Sequence, residues 1–103
     1  MTVGEKQERF TEMYCSLLLY LLAKRYRIRQ KYLLRCDDCK VGHTTSLHKL
    51  GLAIDLVFMD DSGPITDTEQ YREAGEFWEA LGGSWGGRFY DGGHFSLEHN
   101  GMR

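Results

Sequence analysis

The segment Ser46-Leu47-His48-Lys49-Leu50-Gly51-Leu52-Ala53-Ile54-Asp55-Leu56 constrains the fold more than any other. From Leu52 to Met59 the residues alternate with the period of a β-strand: Leu52, Ile54, Leu56 and Phe58 fall on one face, and Ala53, Asp55 and Val57 on the other. This pattern predicts a central strand whose apolar face lies on the core and whose opposite face presents Asp55. A carboxylate in a segment that otherwise reads as buried is unfavourable unless something compensates its charge. His48 stands just ahead of the strand, and Asp91-Gly92-Gly93-His94-Phe95 supplies further ligand-type residues near the C-terminus. Together these residues suggest a bound metal ion.

The elements around this strand follow from periodicity. Between about Glu5 and Lys24, Phe10, Met13, Tyr14, Leu17, Leu18 and Leu21 recur at helical spacing, which predicts a first helix with one buried face. Arg25 to Leu34 alternates basic with apolar or aromatic residues, as a strand with one wet face does, and its charges discourage edge-to-edge pairing. Arg35 to Thr45 has no period and reads as loop. Asp60-Asp61-Ser62-Gly63-Pro64 is a turn by composition. Thr66 and Glu69 have the spacing of a capping box that opens a second helix running to about Leu81, with Tyr71, Ala74, Trp78 and Leu81 buried and Gly82-Gly83 as its stop. Trp85 to Gly93 reads as a glycine-rich turn region, His94 to Glu98 as a short strand, and the last residues as a frayed tail. The expected architecture is an α+β domain, a small, mainly antiparallel sheet with two helices on its apolar face and the metal on the other.

Composition limits the classes of function. A chain of 103 residues, 42% apolar and 13% aromatic, is expected to fold as one globular domain spanning 1–103. Its formal charge of -2 argues against a nucleic-acid partner. The polar start does not read as a secretory signal, and the apolar run from Cys15 to Ala23 falls far short of the roughly 20 residues that cross a bilayer. Synthesis in the cytoplasm, with no transmembrane segment, is the expectation. Three cysteines do not suit a disulfide-stapled domain. Cys36 and Cys39 form a CxxC with His43 nearby, a pattern open to a structural zinc site or a redox pair, but a closed zinc site wants four ligands. Reduced thiols on a loop is the plainer reading.

Two imidazoles and one carboxylate, His48, Asp55 and His94, make a three-ligand set. Three protein ligands and an open position are a catalytic zinc arrangement. A hydrolytic site also needs a base near the metal, and Asp91, separated from His94 by two glycines that let the backbone turn sharply, is placed for that role. Gly51 and Ala53 are expected to keep the approach between His48 and Asp55 open. His43 and His99 read as ordinary surface or hydrogen-bonded histidines.

The strings SLHKLGLAIDL and WGGRFYDGGHFSLE resemble the two signature segments of the M15 family of zinc peptidases, which includes D-alanyl-D-alanine carboxypeptidases and dipeptidases and phage L-alanyl-D-glutamate endopeptidases. Ser46, His48, Gly51, Ala53, Asp55, Asp91 and His94 match its pattern, and EQYREAGEFWEALGGSWGGRF resembles the phage endolysin branch. The resemblance implies a hedgehog/DD-peptidase-like scaffold with one catalytic zinc ion held by His48, Asp55 and His94, and Asp91 as general base. It further implies that Arg35 holds a substrate oxygen, that Ser46 and Trp85 shape the pocket, and that Tyr90 contacts substrate. The implied substrate is the stem peptide of bacterial peptidoglycan, cut between L-alanine and D-glutamate by a monomer that reaches the wall through holin-type release, without a separate wall-binding domain. D-alanyl-D-alanine cleavage is the alternative within the family. A zinc-containing binding module without turnover, or a protein centred on Cys36 and Cys39, would be alternatives of other classes.

Overall fold

The computed structural model describes residues 1–31, 47 and 50–101. Helix α1 spans Val3–Ala23 and buries Phe10, Met13, Leu17 and Leu21, the stripe expected from the sequence. Thr2 and Glu5 close a reciprocal capping box at its start, with the Glu5 amide donating to Thr2 Oγ1 at 3.1 Å and the Thr2 amide to Glu5 Oε1 at 2.9 Å. At the other end Arg25 is left-handed, with φ 68°. Its amide bonds to the Leu22 carbonyl and that of Tyr26 to Leu21, the paired bonds of a Schellman turn. The chain therefore leaves the helix directly into β1, Arg27–Lys31, so the strand begins later than the alternation from Arg25 suggests.

Strand β2, Ala53–Asp60, is central. The sheet runs β1-β2-β5-β4, with β3, Gly63–Pro64, folded back onto β2 as a hairpin and β4 and β5 formed by Ser84–Trp85 and His94–Ser96. All four pairings are antiparallel. Leu52, Ile54, Leu56 and Phe58 are buried, as the alternation required. Gly63-Pro64, read as turn, is strand because the Asp61-Ser62 corner lets Pro64 pair with Met59. On the exposed side of β1, Arg27 pairs with Asp61 at 2.9 Å.

The second helical segment starts differently from the expected capping box. Asp67, not Thr66, is the cap, accepting from the Glu69 amide at 3.1 Å, and the first turn, Thr68–Tyr71, is a 3-10 turn. Glu69 points forward to Arg72, at 2.7 and 2.8 Å, instead of back to the cap. Helix α2 then spans Arg72–Ala80 and ends before Gly82, which takes φ 100°. Trp78 joins the layers, edge-on to Phe10 of α1 at 5.5 Å and to Phe95 of β5 at 5.9 Å, while Phe58 stacks on Tyr71 at 4.3 Å. Both helical segments thus pack on the apolar face of an α+β fold, leaving the Asp55 face for the site.

Two late segments depart from their sequence reading. Ser84-Trp85, hidden among glycines, becomes a strand because it pairs with Ser96 and Phe95, whereas β5 stops at Ser96, after which the Leu97 amide bonds to the Leu52 carbonyl. The tail is held as far as Gly101: Lys6 Nζ donates to the Glu98 carbonyl at 3.2 Å and meets His99 Nδ1 at 3.0 Å, and the Gly101 amide donates to Glu98 Oε1 at 2.6 Å.

Gly75 tests the closeness of α2 to β4. Alanine is preferred to glycine by about 1 kcal/mol inside a helix, but a Cβ on Gly75 would overlap the Trp85 ring. Overpacking of that kind costs about 1–3 kcal/mol. Gly75→Ala is therefore expected to lower stability in urea unfolding, and a variant more stable than wild type would contradict this packing.

Candidate metal centre

Strand pairing creates the site. Asp55 faces away from the core on β2 and lies directly across from His94 on β5, where Cβ atoms stand about 4.5–5.5 Å apart. His94 Nδ1 and Asp55 Oδ1 approach to 3.0 Å, with the two side chains 17% and 18% exposed. Asp91 reaches the same point from the preceding turn, in which the His94 amide donates to the Asp91 carbonyl at 3.1 Å and the Asp91 amide to Gly86 at 2.9 Å. Ligand-capable atoms of Asp55, Asp91 and His94 all lie within 4.8 Å of one another.

This donor set fits zinc. Imidazole nitrogen and carboxylate oxygen bind it at about 2.0–2.2 Å, which puts two ligand atoms at a tetrahedral angle roughly 3.3 Å apart, close to the Asp55–His94 separation. Two carboxylates converging on one imidazole also favour a cation between them. Asp55 and His94 are partly buried and Asp91 is exposed.

The glycines before His94 act by absence of volume. Neither Gly92 nor Gly93 is among the left-handed glycines, so the sharp turn expected of them is not what requires them. A Cβ on Gly93 would collide with the Leu56 carbonyl of β2, and one on Gly92 would come within 3.1 Å of Thr68 Cα. Gly86 is needed for the same reason, since a Cβ there would sit 2.7 Å from His94 Cβ. The left-handed residue is Tyr90, with φ 62°. Gly51 is also left-handed, with φ 73°, and a Cβ there would lie 3.5 Å from the Gln7 side chain; the approach to His48 that it was expected to keep open falls outside the described residues.

Trp85 braces this turn. Its buried indole Nε1 donates to the Gly92 carbonyl at 2.8 Å. Arg72 and Arg88 lie 5.6 and 5.3 Å from its ring centroid. Arg88 also grips Glu79 through two bonds of 3.0 and 2.7 Å. Those bonds hold the Glu79 carboxyl below the usual carboxylate range and raise Arg88.

A cleft of about 420 Å³ opens beside the site, with Lys31, Asp55, Thr66, Thr68, Tyr90 and Asp91 in its lining. Tyr71 also lines it and is locked in place, its hydroxyl accepting from the Phe58 amide at 3.0 Å and donating to the Ile65 carbonyl at 2.6 Å. Of the residues singled out from sequence, Asp55, Asp91 and His94 are brought together and Tyr90 stands at the rim, 91% exposed. His48, Ser46 and Arg35 lie outside the described residues, as do Cys36, Cys39 and His43. The sequence did not mark Lys31, Thr66, Thr68 or Tyr71 as cleft residues. Alternation assigned Lys31 to a wet face, but only strand register places it opposite Asp55.

If this group holds zinc, adding Zn²⁺ to metal-free protein is expected to raise the melting temperature, and a chelator to reverse the change. Asp55→Ala and His94→Ala should each abolish the shift in differential scanning calorimetry. A shift of wild-type size in either variant would remove that residue from the ligand set.

A peptidase M15 family model described as D-alanyl-D-alanine carboxypeptidase matches residues 40–97. No curated protein matches the chain. The matched stretch is more than half of the 103 residues and contains Asp55, Asp91 and His94. With that match added to the convergent donor set, the chain belongs to the M15 peptidase family.

Proposed function

We propose that this chain is a single catalytic domain that hydrolyses the stem peptide of bacterial peptidoglycan in a zinc-dependent manner, at the bond between L-alanine and D-glutamate. The observation that carries the reading is the convergence of Asp55, Asp91 and His94 beside an open cleft. M15 peptidases are generally zinc-dependent. The likeness of the segment from Glu69 to Phe89 to phage endolysins supports the choice of bond.

In this reading Asp55 and His94 hold the ion together with His48. When bound, the ion supplies positive charge that polarises a peptide carbonyl and acidifies water. Asp91, the exposed member of the group, takes a proton from the attacking water and returns it to the leaving amine. Burial of Asp55 and His94 suits residues that stay fixed, and exposure of Asp91 suits one that meets water and substrate. Tyr90 contacts the peptide at the rim, and Arg35 and Ser46, which precede β2 in the sequence, are assigned to bind it.

The description of the matching family model favours a second specificity, removal of a terminal D-alanine. Digestion of purified cell walls followed by mass spectrometry separates the two. New amino termini on D-glutamate are expected, and release of free D-alanine in their place would establish the carboxypeptidase reading.

Asp91→Ala is expected to keep its zinc by elemental analysis while wall lysis falls by about 10²-fold or more. His94→Ala should lose both metal and lysis. Wild-type lysis by Asp91→Ala would show that another group serves as the base.

A further inference from the structure

The face of the sheet that carries the site holds a second, much smaller space. His94 and Ser96 are two residues apart on β5 and so share that face, and Ser84 on β4 lies directly opposite Ser96. A hollow of about 20 Å³ is lined here by Ser84, Trp85, Gly86, Phe89, His94 and Ser96, and its surface is almost wholly apolar. A single water molecule needs about 10–15 Å³, so the hollow has room for one small group. Asp55 and Asp91 line the cleft of about 420 Å³, whereas His94 lines the hollow, so the donor group has a large space on one side and a small one on the other. Phe89, 69% exposed, also borders an open cleft of about 530 Å³ beside the edge strand β4, together with Ser84 and Trp85.

A peptide whose scissile bond lies at the metal centre has one flanking residue on each side, and the two spaces differ in what they admit. We propose that the hollow selects the residue on the acyl side of the bond, taking an alanine methyl group and refusing larger side chains, with Ser84 and Phe89 as its specificity-determining walls. This assignment rests on the peptidase reading given above. Alanine stands on the acyl side in both specificities considered there, L-alanyl-D-glutamate and D-alanyl-D-alanine. Its methyl group matches a small apolar space, and removing that group from water favours alanine over glycine. A longer side chain meets Phe89 on one side and, on the other, Trp85, whose indole is fixed by its 2.8 Å bond to the Gly92 carbonyl. The leaving-side residue, with the chain that continues from it, takes the larger cleft. Ser84 and Phe89 act on substrate choice alone and take no part in the proton transfers assigned to Asp91.

The test uses the zinc-loaded full chain and two series of synthetic peptides, ending the acyl side before D-glutamate or before D-alanine, in which the acyl-side residue is glycine, alanine, 2-aminobutyrate or valine. Ratios of kcat/KM are taken within one preparation, so that any loss of folded or metal-bound protein cancels. A methylene group in an apolar pocket changes kcat/KM by about 10–200-fold, so wild type should prefer alanine to glycine by roughly 10-fold or more, with 2-aminobutyrate and valine below alanine. Phe89→Ala, which joins the hollow to the open cleft beside β4, should raise the ratio of valine to alanine by roughly 10-fold or more. Ser84→Val, which fills the hollow, should abolish the preference for alanine over glycine. Calorimetric titration of peptides with a reduced, uncleavable bond should give the same order of affinities. Equal cutting of the glycine and alanine peptides by wild type would overturn the assignment, as would wild-type ratios in both variants. Wild-type protein that cuts the alanine peptide of neither series would overturn the peptidase reading and this assignment with it. Cutting confined to the D-alanine series would overturn the choice of bond, and the same ratios in that series then decide the assignment.

Discussion

The pairing of β2 with β5 is the constraint on which the site depends. Because Asp55 and His94 are exact partners in that ladder, a slip by one residue would turn one of them into the core and bring an apolar neighbour to the other face. Burial guards against such a slip. Ile54 and Phe95, the next pair along, are both buried, and Phe95 packs against Trp78. The hydrophobic effect on one face of the sheet thereby fixes the polar geometry on the other.

Asp91 is placed by a different device. It lies outside any strand, on a turn pressed against β2 where Gly93 meets the Leu56 carbonyl, and held from the other side by the Trp85 indole. Trp85 in turn is fixed by Gly75 of α2, by Gly87 and by the flanking arginines. The proposed base therefore derives its position from α2 through an aromatic ring, while the proposed ligands on β2 and β5 derive theirs from the ladder.

Much of this was legible in the sequence where a period was strong. The stripe of α1, the alternation of β2 and the stop at Gly82 follow from spacing, and a central strand with one polar exception pointed to Asp55. Short elements were not legible. Ser84-Trp85 and Gly63-Pro64 are strands only because a partner lies beside them, which no local pattern records. The start of the second helix was misplaced because Thr66 and Asp67 both have capping side chains, and the choice was settled by Glu69 turning to Arg72. The site residues Asp91 and His94 could be named from ligand chemistry and family resemblance, whereas the cleft-lining role of Lys31 needed the register between β1 and β2.

Glycine packing around the site also bears on how such a centre can change over evolutionary time. Gly75, Gly86, Gly87, Gly92 and Gly93 each lie where an added Cβ would press on an aromatic ring, a carbonyl or a neighbouring residue's backbone or side chain. Chemistry at the centre can be altered by exchanging one side chain, but the space around it resists gradual enlargement, because at Gly75, Gly86, Gly87 and Gly93 even a methyl group exceeds the room available and at Gly92 it fits only if neighbours shift. Room for exchange is left on the open side of the cleft, at the exposed Tyr90, Thr66 and Lys31, while the backbone beneath them stays as it is.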